Sequence, residues 1–203
     1  MESALETTRD LEFYRSLVAL TAHDALPELL AAALDVLVAR FGARETFIEI
    51  IDDDAAHPTV VAHGCDQPRQ QEIAAFVSRG IISEALATGE TVITANAAMD
   101  PRFSELASVQ RHQLEAVLCV PIGLDGPVGI LYLQGRKGYE SLYAFEDGVQ
   151  REVEIVARAL ALPIERLLAR AGTTALPAAA PSHPEPAFRD VLVVTFKRSI
   201  SNI

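Results

Sequence analysis

Cysteine is scarce in this chain. Cys65 and Cys119 are the only two in 203 residues, too few for a disulfide framework, and neither has a partner at metal-ligand spacing. Positive charge is also in short supply: 17 Lys and Arg face 28 Asp and Glu, for a net charge of -11. The basic residues are scattered with no stripe, so direct nucleic-acid binding is not expected. No uninterrupted apolar run reaches the ~20 residues needed to span a bilayer. The start, Met1-Glu2-Ser3-Ala4-Leu5-Glu6, is acidic where a secretion signal is basic and then apolar. The expectation is a cytoplasmic chain with no membrane partner.

Catalytic signatures are missing as well. There is no Gly-x-Ser-x-Gly elbow, no His-Glu-x-x-His, no Gly-x-Gly-x-x-Gly after a strand, and no phosphate loop of the form Gly-x-x-x-x-Gly-Lys-Ser/Thr. His63 and His112 offer imidazoles, but nothing sets a nucleophile beside a base. The only dense acidic run, Asp52-Asp53-Asp54, fails the spacing of a calcium loop, with no glycine at its sixth position and no acidic residue at its twelfth. It reads as a solvated turn. These absences favour a chain that is not an enzyme and holds no metal, and no motif specifies a cofactor.

What is present is a hydrophobic half of the chain, enough for one compact domain with a sizeable core and terminal helices left over. Residues 2–20 space Leu5, Leu11, Tyr14, Leu17 and Val18 as an amphipathic helix. A second helix is expected from Asp24 to Phe41, with Pro27 in its first turn, a stripe of Leu30, Leu34, Leu37, Val38 and Phe41, and Gly42 as its stop. Thr46 to Ile51 and Thr59 to His63 read as strands. Pro68 to Leu86 is helical, with a break expected at Gly80, and Thr91 to Thr94 is a short strand.

Two apolar runs, Val117 to Ile122 and Val128 to Leu133, flank the cluster Gly123-Leu124-Asp125-Gly126-Pro127, which predicts a β-hairpin. A polar loop and a long helix beginning near Phe145-Glu146-Asp147 follow. Together with Gly64, Gly89-Glu90-Thr91-Val92 and Asp100-Pro101-Arg102-Phe103, this order resembles a GAF domain over about residues 24 to 170. The resemblance implies an α+β fold, GAF/PAS-like, with a central antiparallel sheet, flanking helices, and N- and C-terminal helices packed together. It implies a sensory module: a small molecule held between the sheet and the segment 73 to 103, and a signal passed through dimerising helices. Bacterial enhancer-binding transcription activators carry such a module ahead of an ATPase, so the resemblance extends to transcription regulation.

Within that frame the expected pocket walls are Phe76, Ile82, Phe103, Val117, Cys119 and Tyr132, with Glu49, His63 and Glu115 as polar contacts. Glu49 is singled out because it interrupts the apolar strand Phe47-Ile48-Glu49-Ile50-Ile51, and a carboxylate on a sheet face needs water, a cation or a donor. Cys119 reads as a core thiol and Cys65, beside Gly64, as a more exposed one. Specialised branches of the family lack support here. No Cys-His pair for a bilin is present, nor the Asn-Lys-x-Phe-Asp-Glu pattern of the cyclic-nucleotide branch. The free-methionine-sulfoxide reductases of this fold use three cysteines, one more than this chain has. The rivals to a sensor are a ligand-free dimerisation platform and a thiol enzyme built on Cys65 or Cys119.

The long helix spaces Val149, Val153, Val156, Leu160, Pro163 and Leu167 in steps of four and three, an a/d seam for a parallel helical pair. Ile155, Ala159 and Leu162 form a second stripe. A homodimer through residues 5 to 20 and 146 to 170 is expected, with a kink or restart at Pro163. The domain plan is then a helix over 1–23, the GAF domain over 24–171, a Pro/Ala-rich linker over 172–187 and a tail over 188–203. The tail's one β-prone run, Val191 to Phe196, reads as the start of a further domain or as a strand that docks on an exposed edge.

Overall fold

A computed structural model describes residues 2–41, 45–51, 59–63, 79–106, 109–110, 116–134, 147–173 and 192–195. The elements run α1 (Glu2–Leu20), α2 (Leu26–Phe41), β1 (Glu45–Ile50), β2 (Thr59–His63), α3 (Arg79–Thr88), β3 (Val92–Thr94), β4 (Val117–Ile122), β5 (Gly129–Gln134), α4 (Asp147–Thr173) and β6 (Leu192–Thr195). The strands form one sheet in the order β3-β4-β5-β1-β2-β6, and every neighbouring pair is antiparallel. The hairpin predicted from the two apolar runs is the β4–β5 pair, Val120 standing opposite Leu131. The tail's apolar run takes the second of its two expected courses: β6 pairs along β2, Val61 opposite Val193.

Both faces of the central strands β1, β2, β4 and β5 are largely apolar and buried. On one face Ile48, Ile50, Val61, Leu118, Val120 and Leu131 pack against α2 and α4. Helix α2 presents Leu29, Leu30, Ala33, Leu34 and Leu37, the i, i+1, i+4, i+5, i+8 stripe of a helix lying on a sheet. Helix α1 forms a further layer. Its Phe13, Leu17 and Leu20 are buried against the other two helices; of the apolar residues that mark its amphipathic pattern, Leu11, Tyr14 and Val18 are exposed.

Polar contacts set the helix directions. Arg40, in the last turn of α2, reaches Asp10 of α1 and Glu152 of α4. At the other end, Arg166 of α4 donates to the carbonyls of Thr21 and His23 just beyond α1, and Arg170 meets Asp24 at 3.3 Å. Helices α1 and α4 therefore run parallel to each other and α2 antiparallel to both. A cation at the end of α1 also answers the unsatisfied carbonyls and negative pole there.

Two expectations about α4 need correction. The four-three seam is not an intermolecular surface: Val153, Val156, Leu160 and Leu167 are buried in the domain's own core. A 3.5-residue repeat and the face of a sheet-packed helix share these positions, and here the sheet takes them. Of the kink or restart expected at Pro163, the restart does not occur, since α4 is one helix from Asp147 to Thr173 with Pro163 inside it. Pro163 is itself buried, and Leu160, Ile164 and Leu167 around it are core residues, so packing outweighs the lost backbone bond.

Gly80, expected as a break between helices, lies within α3. A side chain there would meet Leu106 at 2.3 Å, so its smallness serves close approach of the following loop. Residues 68–78 of the expected helix, Asp52-Asp53-Asp54 and His112 lie outside the described residues.

Candidate ligand face of the sheet

Strand alternation places one set of side chains on the sheet face opposite α2 and α4. In register across the strands stand Val92, Cys119, Tyr132, Phe47 and Ala62. The next row contains Ile130, Glu49 and Val60. Over this face lie Ile81, Ile82 and Ala85 of α3 together with Ala97 and Phe103 of the following loop, all buried in one cluster with the sheet residues. Phe47 and Tyr132 stack at 4.5 Å between ring centroids, 21° from parallel, an offset arrangement that rigidifies the centre of the face.

Of the residues expected to line a pocket, Ile82, Phe103, Val117, Cys119 and Tyr132 come together here. Glu49 shares the face, half-buried between Ile130 and Val60. His63 does not join them. It stands opposite Thr46, an odd number of residues from the Glu49 row, and therefore on the face toward the helices. The expected grouping failed because the parity of β2 depends on its register with β1, which the connection between Ile50 and Thr59 leaves open in the sequence. Phe76 and Glu115 lie outside the described residues.

Electrostatics on this face are governed by burial. The Cys119 thiol is pushed far above its ordinary pKa, first by desolvation and then by the negative charge of Glu49. A thiol held neutral is a poor nucleophile. Glu49 and Cys119 thus sense the same interior, although one strand, β5, lies between theirs. Among the described residues no cluster of three His, Cys, Asp or Glu is placed to hold a metal ion, and no helix is long and apolar enough to cross a membrane.

The loop that carries Phe103 is locked by the segment Asp100-Pro101-Arg102-Phe103. Arg102 donates to both oxygens of Asp100, at 3.1 Å from Nε and 2.7 Å from Nη2. It also reaches Glu84 of α3 and the carbonyl of Ile93 in β3. The guanidinium lies 4.7 Å from the ring centroid of Phe103, adding a cation–π contact. These bonds hold the Asp100 carboxyl down to about 2, Arg102 being the largest cause and Thr94 a further donor. Sequence reading marked this motif for its resemblance and missed that Arg102 fixes the lid over the face. The signal was present, since an Asp two residues before an Arg closes a local fork.

A family model described as GAF domain matches residues 19–165 of the chain. The chain belongs to the GAF family. No curated protein matches it. Among solved structures, the GAF domain of a phosphoenolpyruvate-protein phosphotransferase from Coxiella burnetii aligns with a TM-score of 0.63 at 18% identity, covering 80% of this chain and 96% of that one. The free methionine-R-sulfoxide reductase of Neisseria meningitidis, solved with its substrate, aligns at 0.59 and 18% identity, covering 78% and 89%. The GAF domain of A. aeolicus NlH2 in an inactive state aligns at 0.54 and 17% identity, covering 79% and 98%. At these identities the likeness concerns the fold. The GAF family membership supports a sensory or regulatory domain in general terms.

Proposed function

We propose that this GAF domain binds a small molecule against the Glu49 face and relays the state of that site to helices α1 and α4. The observation that carries the reading is a carboxylate set among Phe47, Ile130, Val60 and Tyr132, an apolar wall with one charged group, which is the usual composition of a small-molecule site. A ligand with a cationic or hydrogen-bond-donating group and an apolar body suits it. The relay biases two states of the helices by the ligand's unequal affinity for them. An output domain in transcription regulation is the role that the family resemblance favours.

Assembly belongs to the same proposal. Leu11, Tyr14 and Val18 of α1 and Leu162 of α4 are large apolar residues 49–71% exposed, and a second copy of the chain would cover them. Replacing Val18 and Leu162 by Lys is expected to yield a folded monomer by sedimentation.

The rival reading is a thiol enzyme, favoured by the solved reductase of the same fold. The buried, neutral thiol of Cys119 weighs against it. Incubation with free methionine sulfoxide and a thiol reductant tests the choice. The sensor reading expects no turnover, and turnover lost in Cys119→Ser or Cys65→Ser would establish the enzyme. Co-purification of a small molecule, read by native mass spectrometry, tests the sensor against a ligand-free platform.

A further inference from the structure

The geometry points to β3 as a mechanical link that couples the lid over the ligand face to helix α4. Strand β3 has three residues and, among the described residues, pairs with β4 alone, so few backbone bonds fix it. Side chains clamp it from both faces of the sheet instead. On the ligand face, Arg102 Nη2 donates to the Ile93 carbonyl at 3.1 Å, and the Thr94 hydroxyl donates to Asp100. The residue after Arg102 is Phe103, buried in the cluster over the sheet. On the opposite face, the Thr91 hydroxyl at the entrance to β3 donates to Glu154 Oε1 of α4 at 2.8 Å. Gln150, one turn earlier, holds the same oxygen at 2.9 Å, which fixes the carboxylate in place.

The chain of contacts therefore runs from Phe103 through Arg102 and Asp100 to β3, and from Thr91 through Glu154 into α4. A ligand that moves Phe103 displaces Arg102, loosens the edge strand and releases Glu154. A contiguous network of packed and hydrogen-bonded groups of this kind can carry energetic coupling between separated sites. Its purpose rests on the sensory reading above, but the link itself is testable with no ligand.

The test is a double-mutant cycle read by amide hydrogen exchange over residues 147–158 in the full chain, comparing wild type, Arg102→Ala, Thr91→Val and the double variant. Each single change is expected to raise exchange in this part of α4 roughly fivefold, the equivalent of one lost hydrogen bond. In the Thr91→Val background the Arg102 change adds nothing, and Thr91→Ser restores the wild-type response. Independent multiplication of the two effects, or an Arg102 change that leaves α4 untouched, overturns the link. Should Arg102→Ala fail to fold, Thr94→Val breaks the same clamp by one hydrogen bond and is read in the same way. Failure to find a ligand would refute the sensory reading and leave this result standing.

Discussion

Arg40 grips Glu152 with two prongs, Nε on one carboxylate oxygen at 2.7 Å and Nη2 on the other, while Nη2 also meets Asp10 at 2.8 Å. One side chain of α2 thereby ties both other helices together, and its guanidinium carbon lies over the Phe13 ring, 5.1 Å from the centroid, a cation–π contact. The pairing raises the Arg40 pKa further above its ordinary value, Glu152 being the largest cause.

Bidentate geometry and partial burial make this pair stronger than a solvated surface contact. Arg40→Met is expected to cost about 1 kcal/mol, which lowers the thermal midpoint by roughly 2–4 °C for a chain of this size. Arg40→Lys recovers only part of the loss, because an ammonium cannot reproduce the fork.

Acid sensitivity should trace in part to Asp100. Its pKa is depressed in the folded state, to about 2 from an ordinary 3.8. A depressed carboxylate contributes stability that is fully present above the unfolded value and is lost as pH falls through the folded one. The wild-type midpoint is therefore expected to fall between pH 4 and about 2 more steeply than that of Asp100→Asn. Thermal melts of both proteins across that window check the sign.

The corrected seam gives a sharp contrast between neighbouring positions on α4. Leu160 is fully buried in the helix–sheet core, whereas Leu162 is exposed. Leu160→Ala is expected to destabilise the domain by roughly 2–5 kcal/mol, and Leu160→Lys to abolish folding. Leu162→Lys leaves the midpoint of an isolated protomer nearly unchanged. Urea unfolding of the three variants separates a core seam from an intermolecular one.

Pro163 offers a gain. It sits inside α4 and removes the bond to the Ala159 carbonyl. Replacement by Ala restores that bond and the better helix former at the cost of a small cavity, so the thermal midpoint is expected to rise. A fall would show that the proline ring is needed to fill the core.

Much of this fold was legible because its signals are local. β-branched alternation marked β1 and the Gly-Leu-Asp-Gly-Pro cluster marked the hairpin; the structure adds that Gly89 follows α3 with a φ of 69°, which a glycine adopts without strain. The candidate face was legible in part for the same reason, since Cys119 and Tyr132 belong to strands whose pairing the hairpin fixes. Long-range parity was not legible. His63 fell on the wrong face because one residue of register inverts a strand. The α4 seam was misassigned because a heptad and a sheet-packed stripe look alike over five turns. The fork of Arg102 on Asp100 is local and was open to reading, whereas its partners Glu84 and Ile93 come together only in the folded chain.

The most direct measurement of the central claim is a thermal-shift screen of small metabolites against wild type and Glu49→Leu. The account predicts at least one compound that raises the wild-type midpoint by several degrees at saturation, as ligand linkage requires, and loses that effect in Glu49→Leu while the variant keeps its own fold. A screen in which no compound shifts the wild type, or in which the active compound stabilises Glu49→Leu equally well, would contradict a ligand site on the Glu49 face.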